Sequence, residues 1–195
     1  QLDNKVILKY LKEEYPTREE ILLYKNEFVN LKKLHSCPGI INAKRIEKYR
    51  NSIFLVLEDF NAESLNIHIG NSKTYPFNIK KLLVWSIRIV AAVNEIHKTN
   101  IIHKDINPAN ILINLETDQI KLIDFGISTA LSREMPVVQN PNVMQGTLAY
   151  ISPEQTGRMN RRVDQRTDLY ALGVTFYEML TGKRPFEFRD PMELV

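Results

Sequence analysis

Apolar positions in the first part of the chain come in short runs whose period changes along the way. KVILKYL, residues 5–11, is compact and β-branched and reads as a buried strand. Residues 15–39 then switch to helical spacing through Ile21, Phe28 and Leu31. Thr17 and Glu20 form a capping-box signature ahead of this run, and Cys37-Pro38-Gly39 ends it. AKRIEKY (43–49) and SIFLVLEDF (52–60) return to strand character and are joined at RNS. Residues 65–76 are polar and irregular and read as a linker between two lobes.

Beyond the linker the pattern becomes mostly helical. Asn78 is placed to cap a helix over 77–99, with Ile79, Leu82, Leu83, Ile87, Val90 and Ile96 at helical spacing. ILINLETDQIKLIDF (111–125) reads as a β-hairpin around LETD. Residues 126–154 lack periodicity and are long for a routine connection, which points to function. TDLYALGVTFYEMLTG reads as an apolar helix stopped by Gly182. No internal repeat or low-complexity tract interrupts the series.

Bulk properties narrow the function classes. The 195 residues suffice for one domain or two small lobes, and 44% hydrophobic with 25% charged residues is ordinary for a globular protein. A net charge of +3 without basic clustering argues against nucleic acid as a partner. No apolar run reaches membrane-span length, so no membrane partner and a cytoplasmic location are expected. Cys37 is the only cysteine, which rules out an internal disulfide and fits a reducing compartment. The chain opens on Gln1 and stops at Val195 with FRDPMELV, and both ends read as cut from something longer.

Several polar residues sit where apolar ones are expected. Glu27 shares a helix face with Leu23 and Leu31, and Lys9 interrupts the apolar strand VILKY. A buried charge is costly without a partner, and each of these two would satisfy the other. Taken singly, a lysine snorkelling from a strand edge and a half-exposed helix carboxylate explain them equally well. Asp124 follows a strand in KLIDFG. Its carboxylate suits a hard divalent ion, although a simple turn after a strand is the plainer reading of Asp-Phe-Gly alone. In IIHKDINPANILI, Asp105 offers an acceptor for a hydroxyl proton, and Asn110 offers a carbonyl oxygen for a metal.

The order helix, HKDINPAN, strand, DFG, long loop, SPE resembles the eukaryotic-type protein kinase family over essentially the whole chain. The resemblance implies an α+β, bilobal fold. A small β-rich lobe would cover 1–60 and a mostly helical lobe 61–195, both incomplete. It implies that Lys9 of VILK contacts ATP phosphates and pairs with Glu27, that Asp105 is the catalytic base, and that Asn110 and Asp124 hold Mg2+. Leu57 of LEDF would be the gatekeeper, with the backbone of Glu58 and Phe60 and the side chain of Leu112 lining the adenine site. Asp168 would brace the catalytic loop, and Thr147 would contact it. GTLAYISPE is similar to the serine/threonine-specific form, so a protein hydroxyl is the expected substrate. HKDINPAN, LIDFGIS and GTLAYISPEQTGRMNR together resemble the kinase-like domain at the front of large multidomain sensor proteins, which implies attached ATPase, GAF and histidine-kinase modules.

The pattern also departs from the family. Asn107 stands where a lysine usually neutralises the γ-phosphate, which implies a slow enzyme or, in the alternative, a nucleotide-binding pseudokinase-like regulatory module. Lys104 replaces the usual arginine, and Ile7 replaces a small residue beside adenine. No glycine-rich phosphate loop precedes Lys9, so activity is expected of the parent rather than of this stretch by itself. Ser128, Thr129 and Ser132 are candidate regulatory hydroxyls, with ordinary loop residues the simpler reading.

Overall fold

A computed structural model describes residues 5–130 apart from 12, 14, 72 and 74, together with 148–156 and 162–186. Ser132 and Thr147 lie outside the described residues. The described order is β1 (Val6–Tyr10), α1 (Arg18–Lys33), β2 (Ala43–Tyr49), β3 (Ser52–Glu58), β4 (Glu63–Ser64), α2 (Leu65–Ile69) and α3 (Ile79–Lys98). It continues with β5 (Ile101–Ile102), β6 (Ile111–Ile113), β7 (Ile120–Leu122), β8 (Thr129–Ala130) and α4 (Arg166–Thr181). A strand-rich part followed by a mostly helical part is the α+β arrangement expected from the sequence.

The first sheet has order β1-β3-β2 and is antiparallel throughout, with Lys9 opposite Leu55 and Ile7 opposite Leu57. The second has order β4-β6-β7, its hairpin registering Ile111 with Leu122 and Ile113 with Ile120. β5 pairs with β8. Helix α1 begins as its capping box dictates: Glu20 N–H donates to Thr17 Oγ1, and Thr17 N–H donates to Glu20 Oε2. Helix α4 ends on Gly182 in the left-handed region at φ 71°.

One apolar core joins the two parts. It runs from Leu31 of α1 and Leu34 just after it through Leu55 and Leu57 of β3 to Trp85, Ile89 and Ile96 of α3. Ile111 and Leu122 of the hairpin, Phe125, and Leu172 and Met179 of α4 complete it. Gly39 lets the β2 approach pass tightly over α3. It sits at φ 80°, and a Cβ there would lie 2.8 Å from the Ala92 Cβ. This closeness lets Leu122 N–H donate to Gly39 O (2.8 Å) and Ile41 N–H donate to Leu122 O (3.1 Å), joining the two sheets through backbone.

Three sequence expectations are corrected. Strand β1 is not buried: Ile7 and Leu8 are exposed, Leu8 by 54%. Among the described strands it pairs only with β3, so it is an edge, and an apolar run alone does not distinguish edge from centre. The supposed linker at 65–76 begins with α2, which buries Leu65 and His68 and is too short to display a period. In α3 the buried stripe is Leu82, Trp85, Ile89, Ala92, Val93 and Ile96. Ile79, Leu83, Ile87 and Val90 face outward, Ile87 with 68% exposure. Apolar residues extend well beyond the buried face of this helix, so periodicity offers two stripes. The inward one is fixed by Trp85, whose indole N–H needs an acceptor and finds Asp118 Oδ1 at 2.9 Å.

Candidate active site

Strand β1 and helix α1 deliver the first charges. Glu27 is 1% exposed and faces inward one turn before Leu31, while Leu23, one turn earlier, is exposed. Lys9 Nζ donates to both Glu27 oxygens, at 2.9 and 2.8 Å, and also lies 3.1 Å from Asp124 Oδ1. Burial pulls the ammonium pKa down, but the Asp124 and Glu27 carboxylates outweigh it and hold Lys9 protonated beyond its ordinary range. Burial pushes the Glu27 carboxyl up, and Lys9 pulls it partly back. The pairing argued from two misplaced charges is therefore present, with Asp124 as a third member.

The β6–β7 hairpin delivers the next group. Ile123 N–H donates to Asn110 O at 3.0 Å, which sets Asn110 and Asp124 side by side at the open end of the hairpin. Asp124 adopts φ 66°, a left-handed conformation that costs a non-glycine residue about 1 kcal/mol. Its side chain keeps 42% exposure, so the carboxylate faces an accessible surface.

Asp105 is gripped by two amides. Asn110 Nδ2 donates to its Oδ2 (2.8 Å) and carbonyl (2.9 Å), and Asn107 Nδ2 donates to its Oδ1 (2.9 Å) and carbonyl (3.2 Å). Asn107 Oδ1 meanwhile accepts from Ala109 N–H at 2.9 Å and caps the short 3-10 turn Pro108–Asn110. Asn107 is thus engaged at both ends of its amide. Burial pushes the Asp105 carboxyl up to about 7, the Asp124 charge adds to this, and the hydrogen bonds from Asn110 and Asn107 with the Lys9 charge oppose it. A carboxyl poised near neutrality is suited to proton transfer.

The loop carrying Asp105 is held from beneath by Asp168, which is fully buried on α4. Asp168 Oδ1 accepts from Lys104 N–H (2.8 Å), and Oδ2 accepts from His103 N–H (3.0 Å) and pairs with His97 Nε2 (2.7 Å). This support matters because Lys104 also lies in the left-handed region, at φ 71°. Burial pulls the His103 pKa down, so the ring is neutral. Its Nε2–H donates to Ile123 O (3.0 Å), and its Nδ1 accepts from Asp105 N–H (3.3 Å).

Leu57 is buried and Glu58 half-buried at the end of β3, Phe60 follows, and Leu112 is half-buried on β6. Asn114 Nδ2 donates to Phe60 O at 2.8 Å, and Lys121 pairs with Glu58, which tie this corner to the hairpin. A cavity of about 170 Å3 lined by Phe77, Asn78, Lys81, Trp85 and Leu115 shares no residue with the charged cluster. Ser128 is buried, and its hydroxyl donates to His103 O (3.1 Å), a structural role rather than that of an accessible regulatory hydroxyl.

The donor chemistry fits a hard divalent cation. Asn110 turns its amide N–H groups to Asp105, and its Oδ1 accepts no hydrogen bond from the described residues. Asp124, which follows the residue bonded to the Asn110 carbonyl, adds a carboxylate. Among the described residues no group of three His, Cys, Asp or Glu forms a metal site alone, so the fit is to one carboxylate and one amide oxygen.

Sequence reasoning missed four contributors: Asn26 and Asn30 on α1, His97 on α3, and Gln155, whose Nε2 donates to Lys104 O at 3.1 Å. The available signal was the placement of two amides four residues apart beside Glu27, on the face that the helix buries.

Comparison with known proteins supplies the family. A family model described as a protein kinase domain matches residues 2–194. A probable serine/threonine-protein kinase of Clostridium perfringens is 33% identical over 193 residues, 98% of this chain and 27% of its own length. The serine/threonine-protein kinase PrkC of Bacillus subtilis is 32% identical over 187 residues, 95% of this chain and 28% of its own. PknA of Mycobacterium tuberculosis, also a serine/threonine-protein kinase, is 31% identical over 191 residues, 95% of this chain and 43% of its own. The chain thus spans about a quarter of the length of the first two relatives.

Proposed function

The chain belongs to the protein kinase family, and from that premise we propose that it transfers the γ-phosphoryl group of Mg-ATP to a serine or threonine hydroxyl of a protein. The observation that carries the reading is the convergence of Lys9, Glu27, Asp124, Asn110 and Asp105 from four separate segments into one polar cluster, in which the Asp124 and Lys9 charges act on Asp105. In this reading Lys9, fixed by Glu27, meets the α- and β-phosphates. Asn110 and Asp124 hold Mg2+, which when bound neutralises charge on the triphosphate. Asp105 accepts the substrate hydroxyl proton as that oxygen bonds to the γ-phosphorus, and the bond from phosphorus to the β–γ bridging oxygen breaks to release ADP. Leu57, the backbone of Glu58 and Phe60, and Leu112 line the adenine site.

Residues 1–60 form the smaller lobe in this proposal and 61–195 the larger. Asn107 sets the rate. Its N–H groups are already committed to Asp105, and it brings no positive charge to the γ-phosphate. A missing charge-assisted bond of about 1.5–3 kcal/mol slows transfer roughly ten- to a hundredfold. The same residue favours a second reading, a nucleotide-binding regulatory module without transfer. Membership of a multidomain sensor protein is part of the proposal on the strength of HKDINPAN, LIDFGIS and the segment around SPE. Among the described residues, no helix is long and apolar enough to cross a membrane.

Transfer of radiolabelled phosphate from ATP to a protein acceptor, by the full-length protein against its Asp105→Asn variant, separates the readings. Transfer well above the variant supports the kinase. Nucleotide binding with transfer equal to the variant leaves the regulatory module.

A further inference from the structure

We propose that Asn26 and Asn30 are positioning residues whose amides hold the turn 124–128 in the shape that presents the Asp124 carboxylate beside Lys9. The inference deepens the proposed function and rests on reading Asp124 as a Mg2+ ligand. Asn26 Nδ2 donates to Gly126 O (2.9 Å) and Ser128 O (3.1 Å), and Asn30 Nδ2 donates to Phe125 O (3.4 Å) and Ser128 O (3.3 Å). The two amides lie one helical turn apart with Glu27 between them.

The turn needs such support. Residues 124–128 lie between β7 and β8, outside any strand ladder. Within the turn itself Ser128 N–H donates to Phe125 O at a long 3.3 Å. Buried carbonyls require donors, and α1 supplies them from its side chains. Asp124, at φ 66°, opens this turn, and a non-glycine residue stays in that region only where its surroundings over-determine it.

These contacts close a ring. The helix holds Lys9 through Glu27, Lys9 reaches Asp124, and Asp124 continues into the carbonyls that Asn26 and Asn30 grip. An outward shift of α1 therefore breaks the ion pair and releases the Asp124 backbone in a single event. Adhesion alone does not require this arrangement, because Leu31 and Phe28 already give α1 an apolar hold on the core. The amides add orientation.

The test compares the full-length protein with its Asn26→Leu/Asn30→Leu double variant, which keeps side-chain bulk and removes the donors. ATP affinity is measured by calorimetry across a Mg2+ series and in EDTA. The Mg2+ concentration giving half of its enhancement of ATP binding should rise about tenfold, with affinity in EDTA altered less than about twofold. An unchanged Mg2+ dependence overturns the proposal, and so does an equal loss with and without Mg2+, which indicates adhesion only. Asp124→Asn is the control for the underlying reading: if that variant keeps the parent's Mg2+ dependence, Asp124 is not a ligand, whatever the asparagines do. Should the double variant fail to fold, Asn26→Ser is examined by hydrogen exchange. Faster exchange at Gly126–Ser128 with α3 unchanged supports the proposal, and unchanged exchange at Gly126–Ser128 overturns it.

Discussion

Replacing Asp168 with asparagine should release the loop that carries Asp105. Asp168 is fully buried and accepts three hydrogen bonds, from Lys104 N–H, His103 N–H and His97 Nε2, at 2.7–3.0 Å. An asparagine keeps one acceptor oxygen and turns an NH2 group toward a donor on the other side. At least one bond to a charged acceptor, worth about 1.5–3 kcal/mol, is lost, and a buried N–H is left facing another donor. The left-handed Lys104 adds about 1 kcal/mol of strain that the carboxylate now holds in check. The sum, about 2–4 kcal/mol, should lower the free energy of local opening by that amount. Every 1.4 kcal/mol is tenfold, so amide exchange at His103 and Lys104 should accelerate roughly thirty- to a thousandfold. Hydrogen exchange read by mass spectrometry on the 101–113 segment reports this in the intact protein. Unchanged exchange at those two amides, in a folded variant, would refute the claim that Asp168 supports the loop.

Asn107→Ala should lower kcat about ten- to a hundredfold with the ATP KM changed less than about twofold, because the amide acts on Asp105; a proportionate rise in KM at constant kcat, in steady-state assays, would instead place it on the nucleotide. Gly39→Ala combines about 1–2 kcal/mol of backbone strain with about 1–3 kcal/mol of overpacking against Ala92. Its urea midpoint should fall by about 1–2 M, and an unshifted midpoint would show that α3 gives way freely. Stability should also decline as pH drops below the ordinary histidine value of 6.5. The unfolded chain protonates His103 there while the buried ring resists, so the unfolded state binds more protons and ΔG falls with falling pH, by at most about 1.4 kcal/mol per unit. Urea titrations from pH 7.5 to 5 should show a shallower slope in His103→Gln.

Features set by local chemistry were legible in the sequence. The Thr17–Glu20 box, the hairpin around LETD and the Gly182 stop each depend on residues a few positions apart, and each is present. The Lys9–Glu27 pair was legible for another reason: two charges in apolar surroundings have few low-energy solutions. Features decided by neighbours distant in sequence were not legible. The edge position of β1 depends on which strands flank it, and the inward stripe of α3 on where Asp118 meets Trp85. Asn26 and Asn30 carried a partial signal in their placement beside Glu27, but their partners are backbone carbonyls about a hundred positions away, which the sequence does not name.

The hairpin has a consequence for how this scaffold tolerates change. Its ladder is anchored at the end where Ile123 meets Asn110, whereas the reversal of direction at 114–119 lies at the far end. Residues added near Glu116 would lengthen the bend and leave the pairing of Ile111 with Leu122 in step, because closure entropy grows only slowly with loop length. Insertions there are a free dimension for divergence, whereas a single residue added between Asn110 and Ile111 would turn the strand over and move the amide oxygen away from its neighbouring carboxylate.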